Sequence, residues 1–192
     1  MNIQLPKKLV LIGASTGGPG QIEKIVRSLP VLSDTVVLIA QHMSIDFIPS
    51  FTKRLKEFSI NTVSMANDNA LIESGNIYLC HGMTSAKRDG YGFKFQVESS
   101  KQYKYNPDIN TLFNSFVHFA QDIEILGVIL TGIGDDGVQG CKELALRGVR
   151  TITQDENSAI VDGMPSRARK EIQNIEIADT QEIQEKIRSF CS

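Results

Sequence analysis

The sequence is poor in most features that would mark a specialised class of protein. It has only three cysteines, Cys80, Cys141 and Cys191, widely spaced and with no CxxC pair. An odd number without a framework excludes a disulfide-stapled scaffold and points to reduced thiols, hence to the cytoplasm. Three histidines and no cluster of ligand types leave little to hold a catalytic metal, and no other cofactor is expected. The net charge is −2 and there is no basic block, which argues against a nucleic-acid backbone as partner. No apolar run approaches the ~20 residues that a membrane-spanning helix needs. The polar start from Met1 to Pro6, followed by a short run from Leu9 to Gly13, does not read as a signal peptide. Repeats, low-complexity tracts and a dividing linker are also absent. One domain is expected, long enough to bury roughly two-thirds or more of its unfolded surface.

What is present is a rhythm of apolar runs and helical spacings. Leu9 to Gly13 and Thr35 to Ala40 are nearly all apolar or β-branched, as are Ile125 to Leu130 and Val149 to Gln154. Strands with so little alternation are those of a parallel sheet covered on both faces. Between them, helices are predicted over 21–29 (stopped by Pro30), 48–57 with Phe47, Phe51, Leu55 and Phe58 on one face, 109–121, and on to about Leu146. Thr62 to Met65 reads as a weak strand and Asn76 to Cys80 as a short one. Lys87 to Val97 reads as a hairpin around Asp89-Gly90, and Ser99 to Asn106 as a loop. Two short helical pieces, a weak strand near Ile175 and a helix over 181–190 complete the chain. The expected architecture is a doubly wound, mostly parallel α/β sheet with helices on both faces and a small antiparallel hairpin insert.

Three of the buried strands end in chemically equipped loops. The first runs into Gly13-Ala-Ser-Thr-Gly17, with Ser15 at the centre of a glycine turn; the second ends at His42; the third leads to Asp135 and Asp136. A parallel sheet places such loops on one edge, where sites form. Serine, histidine and aspartate are together the parts of an acyl-transfer site. The serine hydroxyl needs a base, histidine titrates where it can be one, and a carboxylate fixes the imidazole tautomer. Backbone amides at the start of the following helix, Thr16 first and Gly17 beside it, are placed to hold an oxyanion.

Each part also has a plainer reading. G-x-S-x-G matches often by chance, so Ser15 alone serves equally as a helix cap or phosphate-loop residue. His42 alone reads as a structural histidine, and the two aspartates as turn residues. The tight turn at Gly137 favours Asp136 slightly over Asp135 without deciding between them. A dinucleotide loop would want glycine at position 15, and a P-loop would want lysine after its last glycine, where Pro19 stands. Cys80-His81 looks like a thiol–base pair, but neighbours on a strand point to opposite faces. His118 reads as a half-buried surface residue of an apolar helix, and Glu156 and Asp162 as loop residues.

Three blocks in register resemble the catalytic domain of the CheB family, the chemotaxis receptor protein-glutamate methylesterases. They are Ile12-Gly-Ala-Ser-Thr-Gly-Gly18, then Gln41-His42-Met43 with Phe47 and Phe51 after it, then Val128-Ile-Leu-Thr-Gly-Ile-Gly-Asp-Asp-Gly137. Weaker similarity runs from Leu9 to about Met164-Pro165. The resemblance implies hydrolysis of glutamate γ-methyl esters on the cytoplasmic helices of methyl-accepting chemoreceptors, with release of methanol, as part of chemotaxis adaptation. Many members also deamidate receptor glutamines. Position by position, it implies Ser15 as nucleophile, His42 as base, Asp136 as orienting carboxylate and Thr16 as the residue beside the nucleophile.

Several positions depart from the family. Members usually carry an N-terminal receiver domain, and here the chain starts only a few residues before its first strand. A single catalytic domain over 1–192 without a receiver is expected, either excised from a longer protein or a stand-alone form. Ile133 and Ser44 stand where Met and Pro are usual. The common His-Arg-Pro-Ser-Val-Asp block is here Tyr105-Asn-Pro-Asp-Ile-Asn110, and Ala-Pro-Gly is Cys80-His81-Gly82. These two loops are expected to border the site. They keep a second reading open, a non-catalytic module that uses the glycine loop to bind a nucleotide or receptor segment.

Overall fold

A computed structural model describes residues 4–98 and 104–192. The first strand, β1 (Lys8–Ala14), is apolar along nearly its whole length and is buried on both sides. It is followed by α1 (Gly18–Ser28), β2 (Thr35–Gln41), α2 (Ile48–Lys56), β3 (Thr62–Met65) and β4 (Asn76–Leu79). An antiparallel pair, β5 (Met83–Asp89) and β6 (Gly92–Glu98), interrupts the alternation. The rhythm then resumes with α3 (Ile109–Ser115), β7 (Glu124–Ile129), α4 (Val138–Leu146), β8 (Arg150–Gln154), α5 (Met164–Glu171), β9 (Glu176–Ala178) and α6 (Thr180–Cys191).

Seven strands form one sheet in the order β3-β4-β2-β1-β7-β8-β9, and every pairing in it is parallel. Successive residues of β1 serve opposite faces. Leu9 and Leu11 pack with the layer formed by the hairpin and α3 to α5, whereas Val10, Ile12 and Ala14 pack with α1, α2 and α6. Full burial of such a side chain contributes about 1.5–3 kcal/mol, so the central strand is anchored from both sides. The chain winds outward from β1 in one direction through β2 and in the other through β7. This reversal is the place where open parallel sheets form a ligand crevice.

The elements differ from the sequence reading in a few places. Helix α1 starts at Gly18, earlier than the apolar spacing indicates. Gly17, at φ 84°, turns the chain there, and Pro19 fits the first turn. The helix expected over 109–121 ends at Ser115, where Phe116 N–H bonds the Phe113 carbonyl and a short 3₁₀ turn over Val117–Phe119 follows. His118 is exposed in that turn rather than half-buried on a helix. Phe47 precedes α2 and is 65% exposed, so it does not share the buried face of Phe51 and Leu55. The hairpin begins at Met83 and turns through Gly90 and Tyr91. Residues 156–172 hold one helix, α5, instead of two short pieces. Of the expected loop Ser99 to Asn106, residues 99–103 lie outside the described residues.

Candidate active site

Because β2, β1 and β7 are neighbours, the loops after them converge at one edge of the sheet. The register pairs Ala14 with Gln41 and Gly13 with Ile129, so Ser15, His42 and the 130–137 loop emerge side by side. The Ser15 peptide is held on both sides. Its N–H donates to the Thr131 carbonyl at 2.9 Å, and its carbonyl accepts from Gln41 Nε2 at 2.8 Å. Gln41 Nε2 also donates to the His42 carbonyl at 2.9 Å. One buried amide thus ties the serine turn to the histidine turn.

Close packing fixes the turn further. A Cβ on Gly132 would stand 2.5 Å from Ser15 Cβ, and one on Gly18 would stand 2.0 Å from Gln41 Oε1. Only glycine allows the backbone to approach this closely. The Thr131 hydroxyl donates to the Thr16 carbonyl at 2.9 Å, binding the β7 loop to the serine loop. Among the described residues, the N–H groups of Thr16, Gly17 and Ile133 donate to no protein acceptor. They lie beside or one peptide away from Ser15 and from the glycine packed on it, and are available to an incoming oxygen.

His42 Nε2 lies 2.6 Å from Asp136 Oδ2. The carboxylate can only accept, so Nε2 carries the proton and Nδ1 is the nitrogen left with a lone pair. Asp136 is 1% exposed. Its charge is met by three donors: the His42 ring, Ile109 N–H to Oδ2 at 2.8 Å and Asn110 N–H to Oδ1 at 3.0 Å. Asp135 is exposed and turned away, with its Oδ1 3.5 Å from the Tyr105 hydroxyl. Ser15 Oγ forms no hydrogen bond with His42 in this structure; such bonds often tighten only when substrate is present.

Several residues of the site come from the two loops expected to border it, without a role read for any of them. Tyr105 lies flat on the His42 ring, with centroids 4.9 Å apart and 3° between planes. Asn106 accepts from Met43 N–H through its own carbonyl at 2.9 Å and donates from Nδ2 to the Met43 carbonyl at 3.1 Å. Its Oδ1 accepts from Gly82 N–H at 2.6 Å, so the two loops that depart from the family pattern are joined beside the site. Only that departure pointed to them.

The other candidates are engaged elsewhere, although Asp162 bridges to Gly132 at the border of the site. Cys80 is buried, and burial pushes its thiol far above the ordinary range. His81 Nε2 donates to the Ala66 carbonyl at 2.9 Å. Asp162 is paired with Arg169, and Glu156 sits in an exposed turn. Among the described residues, no group of three or more His, Cys, Asp or Glu is placed to hold a metal ion, and no helix is long and apolar enough to cross a membrane.

Comparison with known proteins bears on the family and the fold of the chain. The family model for the CheB methylesterase matches residues 10–187. A protein-glutamate methylesterase/protein-glutamine glutaminase of Rhodospirillum rubrum is 36% identical over 165 residues, covering 84% of this chain and 45% of that protein. One of Bordetella parapertussis is 37% identical over 166 residues, covering 84% and 47%. The chain thus spans about half the length of the curated relatives it matches. The crystal structure of the Thermotoga maritima CheB methylesterase catalytic domain superposes with a TM-score of 0.85 at 28% identity, covering 96% of this chain and 99% of that one.

Proposed function

The chain belongs to the CheB methylesterase family, and on that premise we propose that it hydrolyses glutamate γ-methyl esters on chemoreceptor cytoplasmic helices, with residues 1–192 acting as one catalytic domain. The observation that carries the reading is the 2.6 Å hydrogen bond from His42 Nε2 to buried Asp136, with His42 just after β2 and Ser15 just after the adjacent β1. Ser15 Oγ attacks the ester carbonyl carbon while His42 Nδ1 accepts its proton. The tetrahedral oxyanion is held by backbone N–H groups, with Thr16 and Gly17 the candidates. Collapse breaks the bond to the methoxy oxygen, which takes the proton from Nδ1–H and leaves as methanol. Water, deprotonated by the same nitrogen, then cleaves the acyl-serine to give free glutamate. A receptor glutamine passes through the same steps with ammonia as the leaving group. Asp136 stabilises the imidazolium throughout and keeps Nδ1 facing the serine.

The relatives are named as enzymes, which does not favour a non-catalytic binding module. A serine-directed fluorophosphonate probe separates the two readings. Labelling that is lost in Ser15→Ala and His42→Ala, together with methanol release from methylated receptor, is the expected result. A chain that neither labels nor releases methanol would overturn the proposal. Between the two aspartates, Asp136→Asn should slow turnover roughly 10²- to 10⁴-fold, and Asp135→Asn far less.

A further inference from the structure

We propose that Tyr105 is a positioning residue for His42, holding the plane of the imidazole from its face while Asn106 locks the peptide that follows it. The inference rests on the acyl-transfer reading and deepens it. It explains how the base is kept in place before substrate arrives.

The imidazole has two torsions, and its bond to Asp136 restrains one edge of the ring. A single hydrogen bond at Nε2 still allows the ring to rock out of plane, which would swing Nδ1 away from the serine. The Tyr105 ring, parallel to within 3° and 4.9 Å away, closes that direction. Tyr105 has further contacts: its hydroxyl lies 3.5 Å from Asp135 Oδ1, and the Lys104 ammonium lies 4.7 Å from its ring centroid. Its neighbour Asn106 takes both polar groups of the Met43 peptide. The backbone after His42 is therefore fixed by the same two-residue segment that covers its ring.

The charged groups around the pair are Asp136 at the ring edge, Asp135 at the tyrosine hydroxyl and Lys104 on the tyrosine ring, with Asp162 and Arg167 across the same pocket. The proposal needs no change in any of their charges. It needs only a flat, well-held wall, which a phenylalanine also supplies.

The test compares Tyr105→Ala with Tyr105→Phe. For each chain it reads the rate of Ser15 labelling by a fluorophosphonate, kcat and KM on methylated receptor, and the ¹⁵N-edited imidazole spectrum of His42. Tyr105→Ala should label about 10- to 100-fold more slowly, the cost of a base displaced on the ångström scale. Its loss on receptor should fall in kcat rather than KM, and its Nε2–H resonance should broaden. Tyr105→Phe should recover most of the rate and a sharp resonance. Three results would overturn the proposal: full labelling by Tyr105→Ala, a loss confined to KM, or a Phe variant as slow as the Ala variant. If the unaltered chain shows no labelling and no methanol release, the methylesterase reading has failed. The imidazole spectra of the two variants then still decide whether Tyr105 holds the ring.

Discussion

At the scale of single residues, the site depends on how the Asp136 charge is satisfied. Two oxygens receive three donors, the His42 ring and two backbone amides. An asparagine offers one oxygen and places its NH₂ against a donor, so at least one of the three loses its acceptor. The alternative is a flipped imidazole tautomer with its proton facing Ser15. Either outcome disables the base, which is why a change of one atom type at Asp136 should cost so much. At exposed Asp135 the same change meets water. Gly132 tests the geometry from the other side. A methyl there would stand 2.5 Å from both Ser15 Cβ and Met164 Sδ, and the methionine can yield where the serine backbone cannot. Gly132→Ala should therefore lose about 1–3 kcal/mol of stability, as overpacking does, and label with fluorophosphonate about 10- to 100-fold more slowly. A folded Gly132→Ala chain that labels at the normal rate would show that the close approach is not needed.

At the scale of elements, α3 does more than fill the core. Its first two amides hold Asp136, and its N-cap Asp108 accepts from Thr111 N–H at 2.7 Å to set their direction. Helix α6 has the same kind of cap, Asp179 accepting from Glu182 N–H at 2.8 Å, but it follows β9, three strands from β1, and its first amides hold no carboxylate of the site. Removing either cap with alanine should cost about 1 kcal/mol in denaturant unfolding. Asp108→Ala should also slow Ser15 labelling, whereas Asp179→Ala should leave it unchanged; equal effects on labelling would refute the role given to α3. The comparison also marks what the sequence could tell. Runs such as Leu9–Gly13 and Thr35–Ala40 read as parallel strands because burial on both faces leaves no alternation, and from strand identity the shared edge of the three loops follows. The contacts of Gln41 and Tyr105 do not follow, because a tie between two turns and a ring stacked on another loop depend on distant segments meeting. The end of α3 is not legible because Phe116 and Val117, at the start of a 3₁₀ turn that still buries them, continue the apolar spacing.

At the scale of the molecule, one sheet carries two core layers, and the serine sits at the end of the strand both layers bury. The three cysteines report on those layers, Cys80 and Cys141 in one and Cys191 in the other. Burial pushes the thiols of Cys141 and Cys191 up to about 12 from 9.0, and that of Cys80 higher still. The folded chain therefore holds these protons more tightly than the unfolded one. Stability from this source is complete below the ordinary thiol value and declines as pH rises from there toward the folded values. Native protein at neutral pH should react negligibly with a thiol-specific disulfide reagent, and in denaturant all three thiols should appear along the same unfolding curve. Denaturation midpoints should fall between pH 8 and pH 10.5, and a Cys141→Ala, Cys191→Ala chain should fall less steeply. If one layer released its thiols while the other stayed protected, the two faces of the sheet would be separate cooperative units. Because β1 is shared by both layers, loss of either should remove the support of Ser15, and labelling should disappear along the same curve as thiol protection.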